Sequence, residues 1–173
     1  MARAEFLLVD GYNMIYAWDD LKMSLEVSLD AARKRLLDIL SDFQGSTGKN
    51  IIVVFDAHKV SRATTTIEEY HNIKVVYTKE AETADNYIEK TTNKLVKNYK
   101  VLVATNDYLE QMIILGYGAT RISAKELREE VKAKKKQLKY DYIDKRPIKN
   151  NMLLDNLDPE TAMILEQMRR GKN

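Results

Sequence analysis

Short, continuous apolar runs alternate along this chain with segments of helical periodicity, and this alternation constrains the fold more than any other feature. The runs are Phe6–Val9, Ile51–Phe55, Lys74–Tyr77 and Val101–Ala104, with Thr120–Ile122 as a weak fifth. Runs of this kind are typical of strands that are covered on both faces. Alternating strand and helix units predict an α/β fold in which a central parallel sheet is flanked by helices.

The helical segments between the runs carry recognisable start and stop signals. Apolar residues recur at three- and four-residue steps over 29–43, where Ser28 is a candidate cap and Gly45 a candidate end. Further helices are predicted after Thr83, over 107–115 up to Gly116, after the capping-box residue Ser123, and over 158–170. We expect irregular structure over 57–66 and 140–157. Three methionines are expected in the core: Met112, Met163 and Met168.

The chain length favours one domain over two, so we predict a single domain over 1–173 whose last part, 124–173, is a basic helical extension. There is no Cys and there are two His, so a metal here would be held by oxygen ligands, which favours Mg²⁺ or Mn²⁺. The first apolar run is too short for a signal peptide or a membrane span. We therefore expect a cytoplasmic protein without a membrane partner or a small-molecule cofactor.

Basic residues are concentrated in one part of the chain. Residues 121–149 contain eleven Lys and Arg against five acids, a net charge of +6, although the whole chain carries only +2. Such asymmetry suits a polyanion such as RNA, while a solvated Lys-rich helix is an equally open reading. The candidate RNA contacts in this basic segment are Arg128, Lys132, Lys134, Lys135, Lys136, Lys139, Lys145 and Arg146.

Carboxylates follow four successive strands: Asp10, Asp56, Asp85 and Asp107. Because the carboxyl ends of parallel strands share one edge of the sheet, these acids are expected close together. Grouped carboxylates repel each other unless a divalent cation neutralises them, and such a cation can activate water or stabilise charge on a phosphate. A single acid in such a position is more often structural: Asp85 and Asp107 could be helix caps, and Asp56 could end a strand in a turn. Near the first acid, Gly11 allows close backbone approach and Asn13 offers a neutral polar group.

Four segments of the chain resemble one family of nucleases. They are residues 7–15 (LLVDGYNMI), 53–58 (VVFDAH), 78–85 (TKEAETAD) and 104–111 (ATNDYLEQ). In this combination and order they are similar to NYN nucleases of the YacP type, within the wider PIN-like ribonucleases, and the resemblance extends to about Arg170.

The resemblance implies a Rossmann-like PIN/NYN fold and a metal-dependent RNA endonuclease. It assigns the metal ligands to Asp10, Asp85 and Asp107, with Asn13 as a catalytic polar partner and Asp56 as a further candidate ligand. It also implies cleavage of messenger RNA in association with the ribosome.

Other interpretations stay open at this point. A receiver-like phosphoacceptor requires an acidic pair after the first strand, whereas in this sequence Asp10 is followed by Gly11. A non-catalytic RNA- or ribosome-binding module would keep the fold without the chemistry. Tyr12, Tyr16 and Tyr108 lie close in sequence to the acids and are candidates for base stacking, Tyr12 foremost. The roles of His58 and Trp18 are not decided by the sequence.

Overall fold

The computed structural model describes residues 3–57, 63–144, 159, 160 and 163. Six strands lie within this part of the chain: β1 Glu5–Asp10, β2 Asn50–Phe55, β3 Thr66–Tyr70, β4 Ile73–Tyr77, β5 Lys100–Ala104 and β6 Thr120–Ile122. The helices that accompany them are α1 Gly11–Ala17, α2 Asp19–Val27, α3 Leu29–Thr47, α4 Ala84–Leu95, α5 Tyr108–Gly116 and α6 Ala124–Asp144.

The strands form one sheet in the order β3-β4-β2-β1-β5-β6. All neighbouring pairs are parallel except β3 and β4, which are antiparallel. After β1 the chain first builds outward through β2 and β4 and then returns to the other side of β1 with β5. Strand order therefore reverses between β1 and β5, and such a switch point opens a crevice at the carboxyl ends of the strands.

Helices cover both faces of the sheet, as the continuous apolar runs predicted. On one face, Leu7 and Val9 pack with side chains of α1, α2, α3 and α6. On the other face, Leu8 and Val54 pack with side chains of α4 and α5. Burying each such side chain completely contributes about 1.5–3 kcal/mol. The fold is therefore the predicted α/β arrangement.

The antiparallel edge strand β3 was not predicted, since only five segments of the sequence have the pattern of a strand. Its residues Ile67, Glu68 and Glu69 are exposed, so it lacks the apolar run that marks a buried strand. Polar, charged side chains are common on edge strands because they discourage pairing with another chain. The segment expected to be irregular, 57–66, runs up to the first residue of β3.

Most of the predicted helix signals are confirmed. The Ser28 side chain accepts from the Ala31 N–H and the Thr83 side chain from the Asn86 N–H. Ser123 and Glu126 form the reciprocal bonds of a capping box, at 3.2 and 2.7 Å.

Two helix boundaries were predicted wrongly. Gly45 does not end α3, which continues to Thr47 and stops at Gly48, whose φ of 71° suits glycine. The basic helix α6 continues to Asp144, into the stretch expected to be irregular. The short helices α1 and α2 had no prediction at all.

The core prediction was wrong for two methionines. Met112 is half exposed because α5 turns Glu110, Gln111 and Ile114 toward the protein instead. Met163 lies in a helical turn but is also exposed. Met168 and most of the predicted last helix lie outside the described residues.

The chain divides into two compact units, residues 1–135 and 136–173. The sheet and helices α1–α5 belong to the first unit, and the division falls within α6. None of the helices in the described part of the chain is both long and apolar enough to cross a membrane.

Candidate functional site

Asp10 lies at the switch point of the sheet. It is the last residue of β1, it is almost completely buried, and it caps α1 by accepting from the Asn13 N–H at 3.3 Å. The next residue, Gly11, lies so close to the Phe55 ring that a Cβ there would be 2.3 Å from a ring carbon. The glycine therefore lets α1 begin directly at the strand end, which holds the Asp10 carboxylate at the edge of the sheet.

Three carboxylates from three different elements converge at this edge. They belong to Asp10, to Asp85 in the first turn of α4 and to Glu110 in the first turn of α5, and one oxygen of each lies within 4.8 Å of the others. We call these three residues the carboxylate cluster. Each of the three chain segments meets the sheet edge at the end of its strand or at the start of its helix, so the fold brings together residues that are up to 100 positions apart.

Glu110 was not predicted as a site residue. Its side chain is buried and its Oε2 accepts from the Thr105 hydroxyl at 2.7 Å. Its Oε1 is buried without a hydrogen-bond partner among the described residues. Burial raises the pKa of Glu110 to about 9, and the nearby charges of Asp85 and Asp10 act in the same direction, while the Thr105 hydroxyl opposes them.

Asp10 behaves in the same way. Burial raises its pKa to about 7, the charge of Asp85 adds to the increase, and the Asn13 N–H works against it. Holding all three acids ionised is therefore unfavourable for the protein on its own. A divalent cation would remove this penalty, and the unpartnered Oε1 of Glu110 offers it a buried ligand. The all-oxygen donor set suits Mg²⁺ or Mn²⁺.

The predicted ligands Asp107 and Asp56 lie outside the carboxylate cluster. Asp107 is exposed and caps α5, its Oδ1 accepting from the N–H groups of Leu109 and Glu110 at 2.9 and 3.3 Å. Asp56 is half-buried, and its Oδ2 accepts from the Ala84 N–H at the start of α4, at 3.4 Å. Both carboxylates have a helix-capping role, and their part in binding metal stays a prediction.

Asn13 connects the cluster to the start of the basic helix. Its N–H bonds Asp10, while its Oδ1 accepts from the Asn106 N–H at 3.1 Å. The Asn106 side chain in turn accepts from the Ala124 N–H, the first of α6, at 2.9 Å. A continuous set of hydrogen bonds thus fixes the β1 end, the β5–α5 loop and the beginning of α6 relative to one another.

The tyrosines near the acids differ in exposure. Tyr12 is half-buried, its ring lies 5.2 Å from that of Phe55, and its hydroxyl accepts from Arg33 at 3.0 Å. Tyr16 and Tyr108 are exposed. Base stacking by Tyr12 stays a prediction, although much of its ring is already committed to packing.

Trp18, which the sequence left undecided, is a packing residue. It is buried, and its indole N–H donates to the Ala124 carbonyl at 2.8 Å. Arg128 lies over this ring, 4.9 Å from its centroid, and bonds Asp20 at 2.6 Å. Arg128 therefore attaches the start of α6 to the α1–α2 junction. Its binding of RNA stays a prediction.

The other basic candidates of α6 face solvent to different degrees. Lys132, Lys135, Lys136 and Lys139 are exposed, and Lys134 is half-buried. Lys145, Arg146 and His58 lie outside the described residues. The described lysines are placed to meet a charged partner, and their binding of RNA stays a prediction.

Comparison with known proteins identifies the family. Residues 7–170 match the model of the YacP-like NYN domain. The chain is 46% identical over 128 residues to uncharacterized protein YacP of Bacillus subtilis (strain 168), an alignment that covers 73% of this chain and 75% of that protein.

Two crystal structures of Rae1 (YacP) from Bacillus subtilis have the same fold. One, of a point mutant, matches with a TM-score of 0.71 and 36% identity over 95% of this chain and 99% of that one. The other matches with a TM-score of 0.66 and 39% identity over 96% and 95%. The chain therefore belongs to the YacP-like NYN family, whose domain is of the nuclease type.

Proposed function

We propose that this protein is a metal-dependent endoribonuclease that cleaves messenger RNA in association with the ribosome. The observation that carries the proposal is the carboxylate cluster of Asp10, Asp85 and Glu110 at the switch point of the sheet. Buried acids with raised pKa values cost the protein stability, and such groups are commonly kept for function. Because the family of the chain is of the nuclease type, we assign nuclease chemistry to these acids.

The residues of the cluster and their neighbours have distinct tasks in this proposal. Asp10, Asp85 and Glu110 would hold Mg²⁺ or Mn²⁺. When bound, such a cation would lower the pKa of a coordinated water and stabilise negative charge on the scissile phosphate. Thr105 fixes the orientation of Glu110, and the Asn13 N–H fixes that of Asp10. Asp107 and Asp56 remain candidates for additional contacts to the cation.

The exposed lysines of α6 would bind phosphates and take no part in the cleavage chemistry. Contacts of this kind set affinity and its dependence on salt without reading sequence. An acidic cluster by itself repels RNA, so a basic surface elsewhere on the protein helps association. Family resemblance and this basic surface together support the ribosome, rich in RNA phosphates, as the docking partner, and hence a cytoplasmic location.

Cleavage of a labelled RNA in Mn²⁺, in Mg²⁺ and in chelator tests the nuclease assignment. We expect cleavage only with metal, and a loss of about 100-fold or more in Asp85→Asn and Glu110→Gln, since each removes an anionic ligand. Glu126→Gln is the matched control, because Glu126 occupies the same third position of α6 that Glu110 occupies in α5. Full activity of folded Glu110→Gln would contradict the assignment.

A second comparison tests the association with the ribosome. One transcript is presented to the protein naked and during translation, at equal enzyme and metal concentrations. We expect faster cleavage at fewer positions during translation, because docking rather than base reading would select the site. Equal rates and equal positions would refute ribosome-dependent selection while leaving the nuclease assignment intact.

A further inference from the structure

The loop between β5 and α5 has three residues, and two of them already have a task at the site. Thr105 bonds a carboxylate of the cluster, and Asp107 caps α5. Asn106 lies between them and is exposed, so packing does not account for its position. Its N–H donates to the Asn13 Oδ1 at 3.1 Å, and its own Oδ1 accepts from the Ala124 N–H at 2.9 Å.

The start of α6 is the fixed end of these contacts. Ala124, the first residue of α6, is fully buried, and its carbonyl accepts from the Trp18 indole N–H at 2.8 Å. The Ser123 hydroxyl caps the same helix locally, accepting from the Glu126 N–H at 3.2 Å. Because α6 is packed and capped by these groups, it does not depend on Asn106 to begin. The bond to Ala124 therefore restrains the loop more than it restrains the helix.

Asn13 receives the restraint at the other end. Its Oδ1 accepts from the Asn106 N–H, which sets the orientation of the side-chain amide. Burial raises the pKa of Asp10, and both the N–H and the side chain of Asn13 work against this increase, so Asn13 lies against that carboxylate. Groups that bond a metal ligand from behind orient it, and their loss commonly costs roughly 10–100-fold in metal affinity.

We propose that Asn106 is a positioning residue for the metal site, which fixes the β5–α5 loop to the start of α6 and so holds Asn13 against Asp10. The inference rests on the proposed nuclease function. The two hydrogen bonds of Asn106 go to Asn13 and Ala124 and not to the cluster, so it acts on the ligand through Asn13. The competing role is that Asn106 serves only as a second cap of α6.

Titration with Mn²⁺ in the absence of RNA tests this role, with free Mn²⁺ measured by electron paramagnetic resonance. Asn106→Ala keeps the N–H from which Asn13 accepts but releases the loop from α6. We expect its Mn²⁺ dissociation constant to rise by about three- to tenfold, less than for a residue that bonds the ligand itself. Asn106→Asp keeps an acceptor oxygen for the Ala124 N–H and should stay within about twofold of wild type.

The matched control is Ser123→Ala, which removes the local cap of α6 and leaves the loop unchanged. Its Mn²⁺ affinity should equal that of wild type. In saturating Mn²⁺, Asn106→Ala should lower kcat for a labelled RNA and leave KM unchanged, because the lysines of α6 are intact. A variant that merely loosened α6 would raise KM instead. Circular dichroism should show all variants folded, since Asn106 and its substitutes are exposed.

A double-mutant cycle tests the route through Asn13. Asn13→Ala should weaken Mn²⁺ binding by itself. Adding Asn106→Ala to that variant should have little further effect, because residues that act through one another are not additive.

Each contrary result has a distinct meaning. Wild-type Mn²⁺ affinity in Asn106→Ala, or an equal loss in Ser123→Ala, would show that Asn106 only caps α6. Effects of Asn13→Ala and Asn106→Ala that multiply would show that Asn106 does not act through Asn13. Either result overturns the inference and leaves the nuclease assignment in place. A wild type that neither binds Mn²⁺ nor cleaves RNA in its presence refutes the metal-dependent nuclease and the positioning role together.

Discussion

Replacing Asp10 with Asn should stabilise the metal-free protein at neutral and alkaline pH. Burial raises the pKa of this carboxyl from its ordinary 3.8 to about 7, a difference of roughly three pH units. Each unit corresponds to about 1.36 kcal/mol, so ionising Asp10 in the folded chain costs on the order of 4 kcal/mol. Asn is close in shape and can still accept from the Asn13 N–H, so it removes the charge and keeps the cap.

The effect depends on pH in a definite direction. When the pKa of an acid is higher in the folded than in the unfolded chain, the folded chain binds more protons between the two values. Stability is then greatest at low pH and falls as pH rises from about 4 to about 7 for Asp10, and on toward 9 for Glu110. The metal-free wild type should lose stability between pH 5 and pH 8, and Asp10→Asn should lose less.

Urea unfolding in chelator at pH 5, 6, 7 and 8 measures this directly. The difference between Asp10→Asn and wild type should grow with pH to about 2–4 kcal/mol at pH 8. Adding Mn²⁺ should stabilise the wild type at pH 8 and have little effect on the variant. Asp19→Asn, which changes a fully solvated acid, should follow the wild type throughout. A wild type whose stability rises from pH 5 to pH 8, with Asp10→Asn less stable at pH 8, would show that the buried charge of Asp10 does not destabilise the fold.

Three further predictions concern packing and binding. Gly11→Ala should lower the free energy of unfolding in urea by about 1–3 kcal/mol or more, because its Cβ meets the Phe55 ring. In the control Gly116→Ala, where nothing lies within 4 Å of the added Cβ, the free energy of unfolding should change by no more than about 0.5 kcal/mol. Arg128→Ala should cost about 1–2 kcal/mol in thermal or urea unfolding, as it loses the Trp18 face and the Asp20 pair; no loss would mean that these contacts do not hold α6. Replacing four lysines of α6 with Gln should weaken RNA binding and reduce the slope of log affinity against log salt by up to about 3, and an unchanged slope would leave them a solvated face. The four are Lys132, Lys134, Lys135 and Lys136.

The sequence predicted those parts of the fold that follow from local pattern. The parallel strands β1, β2, β4 and β5 each coincide with an apolar run, whereas β6 gives only a weak signal. Ser28, Thr83 and Ser123 each bond the helix start that they were expected to cap. The exposed edge strand β3 has no such run, because its neighbours are water on one side and β4 on the other. The position of β3 can be inferred only after β4 has been located.

The proximity of Asp10 and Asp85 could be predicted because strand ends determine their positions. The first acid of the cluster ends β1, and Asp85 opens the helix that follows β4, so the sheet alone brings both to one edge. Strand ends do not show whether Asp107 or Glu110 lies beside Asp10 and Asp85. Asp107-x-x-Glu110 has the spacing of an N-cap and its capping-box partner, and only the rotation of α5 turns Glu110 inward.

Tertiary contacts decide the environments of Arg128 and Met112, which the sequence pattern alone does not predict. Arg128 belongs by sequence to a basic run, yet Trp18 and Asp20, more than 100 residues earlier, engage its side chain. Met112 has the spacing of a core residue on α5, yet the bonds of Glu110 and Gln111 rotate it outward. The environment of Arg128 is thus decided by partners far away in the sequence, and that of Met112 by the rotation of α5 that the bonds to Thr105 impose.

Anomalous diffraction from crystals soaked in Mn²⁺ would show whether the carboxylate cluster is a metal site. We predict one strong peak at the cluster, with oxygen atoms of Asp10, Asp85 and Glu110 at about 2.1 Å, a length expected of a small divalent cation. The peak should disappear in crystals of Glu110→Gln and persist in Glu126→Gln. A peak bound elsewhere, or no peak in a well-ordered cluster at pH 8, would show that these three carboxylates do not form the metal site.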